Sequence, residues 1–446
     1  MQQETEQKPV GFYSAAAIVV ANIIGVGVFT SLGYQVQGIH DVTALMMLWV
    51  VGGIIALCGA LTYGEIGTVF PKSGGEYQYL SKLYHPFVGF LSGWVSSTIA
   101  FAAPVAAASV AMAAYLHKVF PACDTQLTAL AVVAGITTIH ATTLKAGFKF
   151  QNIFSTGKVI LIIIFIICGF SMGKHTYIHF TFNEDTWKYV FSGDFAESLV
   201  YVAYAYSGWN AAAYLAGEIR NPRRNLPMAL VGGTMLVMFL YFLINYVFLS
   251  TIPIDALAAE QAKDFSKPLE VGYFSADYIF GQGGANAMAL IISVLLISTI
   301  SAMIIAGPRV LAAMGEDIKV LSFFSQKTKK GIPARAVIGQ SLVSVILILT
   351  ASFDQLLIYV GFTLQLFSFL TVMGIFIVRY RKLKGPQGAY RTFGYPITPI
   401  IFLLLSGWSL WFIADKKPTE SLYGLATVGI GALVWLLNKK ISKGEQ

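Results

Sequence analysis

Two apolar segments of the chain are interrupted by glycine and polar residues. Residues 22–29 read NIIGVGVF, and residues 204–210 read YAYSGWN. Glycine weakens a helix and lets the backbone leave the helical region. A helix broken inside a membrane exposes N–H groups at the start of its second half and carbonyls at the end of its first half. Such N–H groups attract a carboxylate, and the carbonyls suit an ammonium group. Two adjacent breaks therefore predict a site for the zwitterionic head of an amino acid.

Charge is missing from both interrupted segments. Neither contains Asp, Glu, Lys or Arg. A polyamine or cationic amino acid at that depth would need a nearby carboxylate, because an uncompensated ion inside a membrane is costly. The segments therefore favour a neutral substrate, and a polyamine or cationic amino acid antiporter is the alternative.

Lys158 is the one basic residue deep inside an apolar span. Ionisable residues at this depth are functional candidates. Its ammonium group could bind carbonyls freed by the first break and hydroxyls of the eighth span, namely those of Ser298, Thr299 or Ser301. Lys158 could titrate and couple transport to protons, or it could be a fixed cation that replaces a metal ion. A lysine that extends to the membrane surface is the structural alternative.

Other charged and sulfur-containing residues suggest weaker hypotheses. Glu65, Glu218 and Arg309 fall at predicted inner helix ends, where they could form a cytoplasmic gate or anchor the helices at lipid headgroups. His175 and His179 lie four residues apart but have no third ligand, so no metal site is predicted. No Ser/His/Asp or di-acid arrangement shares a depth in the spans, so we expect neither an enzyme nor a cofactor.

Composition indicates a polytopic membrane protein. The chain has 446 residues, of which 56% are hydrophobic and 12% are charged, whereas soluble domains have about 25% charged residues. Apolar runs of about 20 residues, enough to cross a bilayer, recur along the whole chain. The fold class is therefore all-α, because a lipid environment leaves no partner for an unpaired backbone group. The predicted spans are 11–34, 42–69, 86–117, 125–144, 150–172, 194–217, 227–251, 284–312, 334–351, 355–379, 396–414 and 419–437.

The basic residues predict the orientation of these spans. With the N-terminus inside, 22 Lys and Arg residues fall in inner connections and 7 in outer ones, and Lys158 completes the 30. Cytoplasmic connections carry this excess, so both termini are predicted to be cytoplasmic. The net charge of +8 is thus explained by topology and anionic lipid, and a nucleic acid partner is not needed.

The interrupted segments lie in the first helix of each of two five-helix halves. Residues 1–446 form one transmembrane domain, with repeats at 11–172 and 194–379 and two further helices at 396–437. Broken helices at matching positions of two halves indicate the binding site of a secondary transporter. Close packing of helices through small residues is the structural alternative. A membrane sensor that binds an amino acid without transporting it is the alternative from a different class.

Four motifs resemble one transporter family. They are GVGVF at 25–29, YGEIG with FPKSGGEY at 63–67 and 70–77, AYSGWN at 205–210, and EIRNPRRNLP at 218–227. Together they resemble the amino acid–polyamine–organocation permeases, and the last two resemble the L-type amino acid transporter branch. The resemblance covers about residues 10–440. It implies the leucine-transporter fold, a 5+5 inverted repeat with broken helices 1 and 6, working by alternating access.

The resemblance also implies roles for individual residues. The predicted substrate-binding residues are Ile23, Gly25, Val26, Gly27, Tyr204, Ala205, Ser207 and Asn210. Backbone amides of residues 25–27 would bind the carboxylate, and carbonyls at Ile23 and Ala205 would bind the amino group. Tyr204 matches the position of an aromatic gate over the substrate in this family. Asn210 matches a polar residue of the sixth helix, and Lys158 matches a lysine found in sodium-independent members.

Three residues depart from the pattern of this branch. Val26 stands where Ser is frequent, Ser207 where Gly is usual, and Tyr204 where Phe is usual. The larger Ser207 side chain favours small substrates such as alanine or serine. Animal members use a cysteine in the loop that holds Cys123 to bridge to a single-span partner, but we expect no such partner here. The sequence thus predicts a sodium-independent transporter of small neutral L-amino acids in the plasma membrane, working by exchange or with proton assistance.

Overall fold

The computed structural model describes residues 10–142, 145–173, 178, 180–329, 331–383, 385 and 387–443, and every regular element in these ranges is a helix. The α-helices are α1 Phe12–Ile23, α2 Gly27–Gly38, α3 Val42–Val69, α4 Glu76–Leu83, α5 Pro86–Val95, α6 Ala102–Val119, α7 Thr125–Thr142, α8 Lys145–Met172, α9 Glu184–Val190, α10 Gly193–Tyr206, α11 Pro222–Thr251, α12 Ile254–Gln261, α13 Val271–Asp317, α14 Ser322–Ser325, α15 Ala334–Thr350, α16 Phe353–Tyr380, α17 Ile397–Lys416 and α18 Pro418–Lys443. A π-helix at Ser96–Ala100 and 3-10 helices at Ala211–Glu218 and Lys319–Leu321 complete the regular structure of the described part.

The described helices account for the twelve predicted spans. In the part of the chain that the structure describes, nine helical stretches are long and apolar enough to cross a membrane. Two shorter apolar helices, Thr156–Met172 within α8 and Ala334–Thr350, supply the fifth and ninth spans. The sixth consists of α10 and the 3-10 helix Ala211–Glu218. The predicted all-α polytopic fold is confirmed.

Breaks occur in the first and sixth spans. The first span divides into α1 and α2, with residues 24–26 between them. In the sixth, α10 ends at Tyr206 and the 3-10 helix starts at Ala211. Gly208 lies between these two helices with φ of +93°, a conformation that a side chain with a Cβ atom strongly disfavours. Both breaks fall inside the interrupted segments that the sequence identifies.

The two breaks touch through their backbones. A Cβ atom at Gly27 would lie 2.6 Å from Cα of Ala205, and one at Gly208 would lie 2.8 Å from the carbonyl oxygen of Asn22. Both distances are too short for a real carbon contact, so the two glycines permit this crossing. The interrupted helices therefore meet at mid-span, as a shared site between them requires.

Several boundaries differ from the prediction. The eighth span lies in α13, which begins at Val271 instead of 284, and Gly281 interrupts it with φ of +71°. The short helices α4, α9 and α12 in the connections were not predicted. The division into repeats at 11–172 and 194–379 stays a prediction.

Candidate functional site

A cavity of about 1500 Å³ starts at the sixth-span break. Tyr204, Ser207 and Asn210 line its deep end together with Asn22 of the first span. Its wall continues past Ser73, Glu218, Arg309 and Asp317 at the predicted cytoplasmic ends of the helices. The cavity therefore connects the breaks with the side that is predicted to be cytoplasmic.

The opposite end of the bundle is packed shut. The ring of Tyr34 on α2 stacks on Tyr201 of α10 with centroids 5.1 Å apart, and its hydroxyl donates to the carbonyl of Lys267 at 2.8 Å. A Cβ atom at Gly33 would lie 2.5 Å from Oε1 of Gln261. This contact leaves no gap between α2 and the end of α12. In this conformation the cavity is therefore open at the end that bears Glu218 and Arg309 and closed at the end that bears Tyr34.

The predicted substrate-binding residues divide into two groups. Tyr204, Ser207 and Asn210 line the cavity, whereas Ile23, Gly25, Val26, Gly27 and Ala205 are absent from its wall. Val26 is 2% exposed and Ala205 is 3% exposed. The backbone groups expected to hold an amino acid head therefore lie behind the cavity surface in this conformation.

Tyr241 closes the carbonyl half of the predicted site. Its hydroxyl points at two carbonyl oxygens and can donate to either. That of Ile23 is 2.9 Å away and that of Ala205 is 3.2 Å away. The ring packs against Trp49 and Tyr206, with centroid distances of 5.7 Å and 5.2 Å. Our sequence reasoning missed Tyr241, because nothing in the spacing of the seventh span distinguishes it from other aromatic residues there.

Lys158 reaches the first break from α8. It is 3% exposed, and its ammonium group donates to the carbonyl of Ile24 at 3.3 Å and to Oγ1 of Thr299 at 2.6 Å. Within the described residues, no acidic side chain forms a salt bridge with it. The cation thus binds the C-terminal end of α1 to α13, and its role in coupling stays a prediction.

The other two candidate hydroxyls of the eighth span have different surroundings. Ser301 Oγ lies 2.8 Å from Nε2 of His140 on α7. Ser298 Oγ is buried without a hydrogen-bond partner among the described residues. Of the three candidates, Thr299 is the one that binds the ammonium group in this conformation, because its side chain faces α8.

Comparison with known proteins decides the family. The family model described as "Amino acid permease" matches residues 10–435. The chain belongs to the amino acid permease family.

Individual relatives cover almost the whole permease. The b(0,+)-type amino acid transporter 1 of Mus musculus is 29% identical over 442 residues, which is 97% of this chain and 88% of the relative. The large neutral amino acids transporter small subunit 2 of Oryctolagus cuniculus is 28% identical over 451 residues, 97% of this chain and 80% of the relative. The relatives are named as transporters, not as enzymes. The permease is therefore an integral membrane protein of amino acid transport.

The predicted gate residues of the permease do not form one cluster. Glu65 pairs with Arg379 of α16 at 2.8 Å and accepts a hydrogen bond from the backbone amide of Thr392 at 2.7 Å. Glu218 and Arg309 both line the cavity mouth, and the charge of Glu218 acts on Arg309. Glu65 thus secures the 383–396 connection, while Glu218 and Arg309 flank the entrance.

Asn210 of the permease leads to a buried carboxylate that the sequence reasoning did not single out. Its side-chain amide donates to Oε1 of Glu76 at 3.1 Å. The same oxygen accepts from the hydroxyl of Tyr63 at 2.5 Å and from that of Ser368 at 3.0 Å. The position of Glu76 in the GGEY motif was the available signal, but a glutamate between two spans resembles an ordinary loop residue.

The remaining candidates give no site. Cys123 is a free, half-buried cysteine, and its carbonyl lies 2.8 Å from Nδ1 of His117. His175 and His179 lie outside the described residues. Within the described residues, no group of His, Cys, Asp and Glu side chains could hold a metal ion.

Proposed function

We propose that this permease is a sodium-independent secondary transporter of small neutral L-amino acids that works by alternating access, through exchange or with proton assistance. One observation carries the sodium independence: the Lys158 ammonium group binds both the Ile24 carbonyl and the Thr299 hydroxyl. A carbonyl and a hydroxyl are the oxygen ligands that a bound sodium ion would also need. The lysine supplies the positive charge there from the protein itself.

The amino acid head binds between the two breaks. The amides of Gly27 and Val28 in the first turn of α2 have no acceptor within the helix, and the N-cap residue Val26 provides no side-chain cap, so these amides are suited to a carboxylate. The Ile23 and Ala205 carbonyls, which face the Tyr241 hydroxyl in this conformation, are suited to the ammonium group. Binding of substrate then requires the breaks to open and Tyr241 to give up at least one of its acceptors.

Side chains around the breaks favour a small neutral substrate. Neither break carries a charged residue. Ser207 and Tyr204 line the cavity. Ser207 adds two heavy atoms relative to the glycine that is usual in the branch that the motifs resemble, and Tyr204 adds one relative to the usual phenylalanine. One relative is named for large neutral amino acids, and the larger Ser207 is our reason to propose a smaller substrate here.

Membrane location and topology belong to the same proposal. The distribution of basic residues supports a plasma membrane protein with both termini in the cytoplasm, because inner connections carry the excess of positive charge. The cavity then opens to the cytoplasm in the conformation described above. A substrate would leave toward the cytoplasm from this state, or enter from it during exchange.

Uptake of labelled L-alanine into sodium-free proteoliposomes tests the function. We expect uptake into vesicles preloaded with neutral amino acids if the protein exchanges, or into empty vesicles under an inward proton gradient if protons assist. Arginine, leucine and putrescine are measured in parallel. Uptake that requires sodium, or uptake of arginine or putrescine without alanine, would contradict the proposal.

Replacement of Ser207 tests whether its side chain limits the size of the substrate. We expect Ser207→Gly to raise uptake of leucine relative to alanine, because the variant removes a side chain from the cavity wall. Ser421→Gly, in the first turn of α18 and absent from the cavity wall, is the matched control. An unchanged leucine-to-alanine ratio in Ser207→Gly would exclude Ser207 as the size filter.

A further inference from the structure

Glu76 places a carboxyl group at a junction of four elements. It is the first residue of α4 and is 2% exposed. Its Oε1 atom accepts from Tyr63 of α3, from Asn210 at the end of the sixth-span break and from Ser368 of α16. A buried polar group normally has partners, but three donors on one oxygen from three different elements make this carboxyl the centre of a network.

Within the described residues, the network contains no cation. The titratable groups that act on Glu76, or on which its charge acts, are the phenols of Tyr63 on α3, Tyr79 on α4 and Tyr214 on the 3-10 helix. Among the described residues of α5 and α16, no titratable group contributes to its charge environment. Burial raises the pKa of the Glu76 carboxyl, and the hydrogen bonds from Tyr63, Ser368 and Asn210 partly oppose this. Among the described residues, hydrogen bonds alone stabilise the negative charge of the buried Glu76 carboxylate.

Two of the three donors also face the cavity. Asn210 and Ser368 both line it, so the Glu76 cluster lies directly behind the cavity wall. Asn210 is the residue that precedes the 3-10 helix of the sixth span, and it moves whenever that half of the broken helix moves. α4 and α16, in contrast, are separate helices outside the sixth span. The Asn210–Glu76 hydrogen bond therefore joins the broken helix to its surroundings.

Protonation of Glu76 changes the strength of the Asn210–Glu76 hydrogen bond. A hydrogen bond to an ionised carboxylate is roughly twice as strong as one to a neutral acceptor. The carboxylate form therefore favours the conformation in which Asn210 contacts Glu76, and the protonated form releases it. By reciprocity, loss of the Asn210 contact increases the proton affinity of Glu76.

We propose that Glu76 is a proton-binding site linked to the position of the sixth-span break, so that proton binding shifts the permease away from the conformation described here. The inference rests on the alternating-access part of the proposed function and deepens it. It identifies, apart from Lys158, a group through which protons act on transport. As pH falls through the range where Glu76 titrates, the cavity closes on the predicted cytoplasmic side.

Cysteine labelling measures this directly without substrate. Ala306 lines the cavity, and Ala306→Cys is introduced after Cys58, Cys123 and Cys168 are replaced by Ser. The rate of reaction with a charged maleimide is measured in nanodiscs between about pH 5 and pH 8, a range that brackets a raised glutamate pKa. Each rate is divided by that of the same cysteine in Glu76→Gln, which keeps an acceptor oxygen but cannot titrate. This ratio removes the intrinsic pH dependence of thiol reactivity.

We expect the ratio to fall severalfold toward low pH. Ser368→Ala, which retains the carboxyl and removes one donor, is expected to move the midpoint upward by about 0.7 pH unit, the effect of one ordinary hydrogen bond. This shift must disappear in the double variant with Glu76→Gln, which distinguishes titration from a purely structural role. A ratio independent of pH, or an unmoved midpoint in Ser368→Ala, would overturn the inference.

Alanine uptake is measured on the same preparations. Normal uptake with a ratio that does not depend on pH refutes the Glu76 inference alone, whereas absent uptake refutes the proposed function.

Discussion

At the scale of residues, two side chains hold neighbouring carbonyls of the same helix end. Lys158 binds the carbonyl of Ile24, and Tyr241 lies against that of Ile23. Both carbonyls belong to the C-terminal end of α1, where the backbone has no intrahelical donors left. Lys158, on α8, also binds Thr299 of α13, and Tyr241, on α11, also lies against the carbonyl of Ala205 on α10. The helix end is thus stabilised from both sides without any ligand.

Replacement of Lys158 tests the cation. We expect Lys158→Ala to lower L-alanine uptake about tenfold or more, because a hydrogen bond to a charged group contributes about 1.5–3 kcal/mol and 1.4 kcal/mol corresponds to a factor of ten. The initial rate of uptake into sodium-free proteoliposomes is measured. Lys188→Ala, on the exposed surface of α9, is the control. Wild-type rates with an unchanged pH profile in Lys158→Ala would remove the lysine from the mechanism.

The sequence identifies a site residue when its type is unusual for the segment that contains it. Lys158 is a cation in an apolar run, and its contact with Thr299 follows from the depth of both residues. Tyr241 and Glu76 could not be found this way. An aromatic residue in a span and a glutamate in a connection are both ordinary, and their partners are brought near only by the packing of distant helices. The separation of Glu65 from Arg309 has the same cause.

At the scale of elements, the crossing of the two broken helices depends on glycine. The Cβ position at Gly27 overlaps the Ala205 backbone at 2.6 Å. Backbone atoms cannot rotate away as a flexible side chain can, so an added methyl group must push the helices apart. The geometry of the site is therefore fixed by a contact between the backbone of Gly27 and that of Ala205.

The variant Gly27→Ala tests this contact. We expect it to destabilise the protein by about 1–3 kcal/mol, the usual cost of overpacking, and to abolish alanine uptake. Thermal unfolding in detergent and uptake are measured. Gly429→Ala, where no atom lies within 4 Å of the added carbon, should leave both unchanged or slightly raise stability. Normal uptake in Gly27→Ala would show that the two breaks do not need to touch.

Elements could be predicted where local sequence controls them. The glycines at 25, 27 and 208 favour breaks for reasons internal to the chain, so both breaks were found. The 3-10 helix Ala211–Glu218 was not, because alanine and leucine there favour an ordinary α-helix. Its tighter winding accompanies contacts with residues 73 and 74, such as the hydrogen bond from the Gly74 amide to the Tyr214 carbonyl at 3.0 Å.

At the scale of the whole molecule, the permease is open at one end and closed at the other. The closure combines the Tyr34–Tyr201 stack with the segment that follows α12. The sequence predicts the number of spans and their direction, because these depend on hydrophobic length and on basic residues. It does not predict the conformation, which depends on a balance between two arrangements of the same helices.

Transport by the chain alone is a prediction for the whole molecule. One relative is named a small subunit, so dependence on a second chain needs a test. We expect the purified chain to transport alanine by itself and Cys123→Ser to transport at the wild-type rate, because both breaks and the contacts of Lys158 lie within this one chain. Uptake and non-reducing electrophoresis of membranes from cells that express the chain are measured. A reducible complex with another protein that Cys123→Ser abolishes, together with inactive purified chain, would contradict this.

The backbone crossing at Gly27 and Gly208 also has a consequence for how this transporter can diversify. Positions 27 and 208 are closed to exchange, since any other residue collides with Ala205 or Asn22. Tyr204 and Ser207 carry no such restriction, because their side chains line the cavity. New nutrient preferences can therefore arise by single substitutions at these two positions, while the backbone groups that bind the amino acid head stay the same.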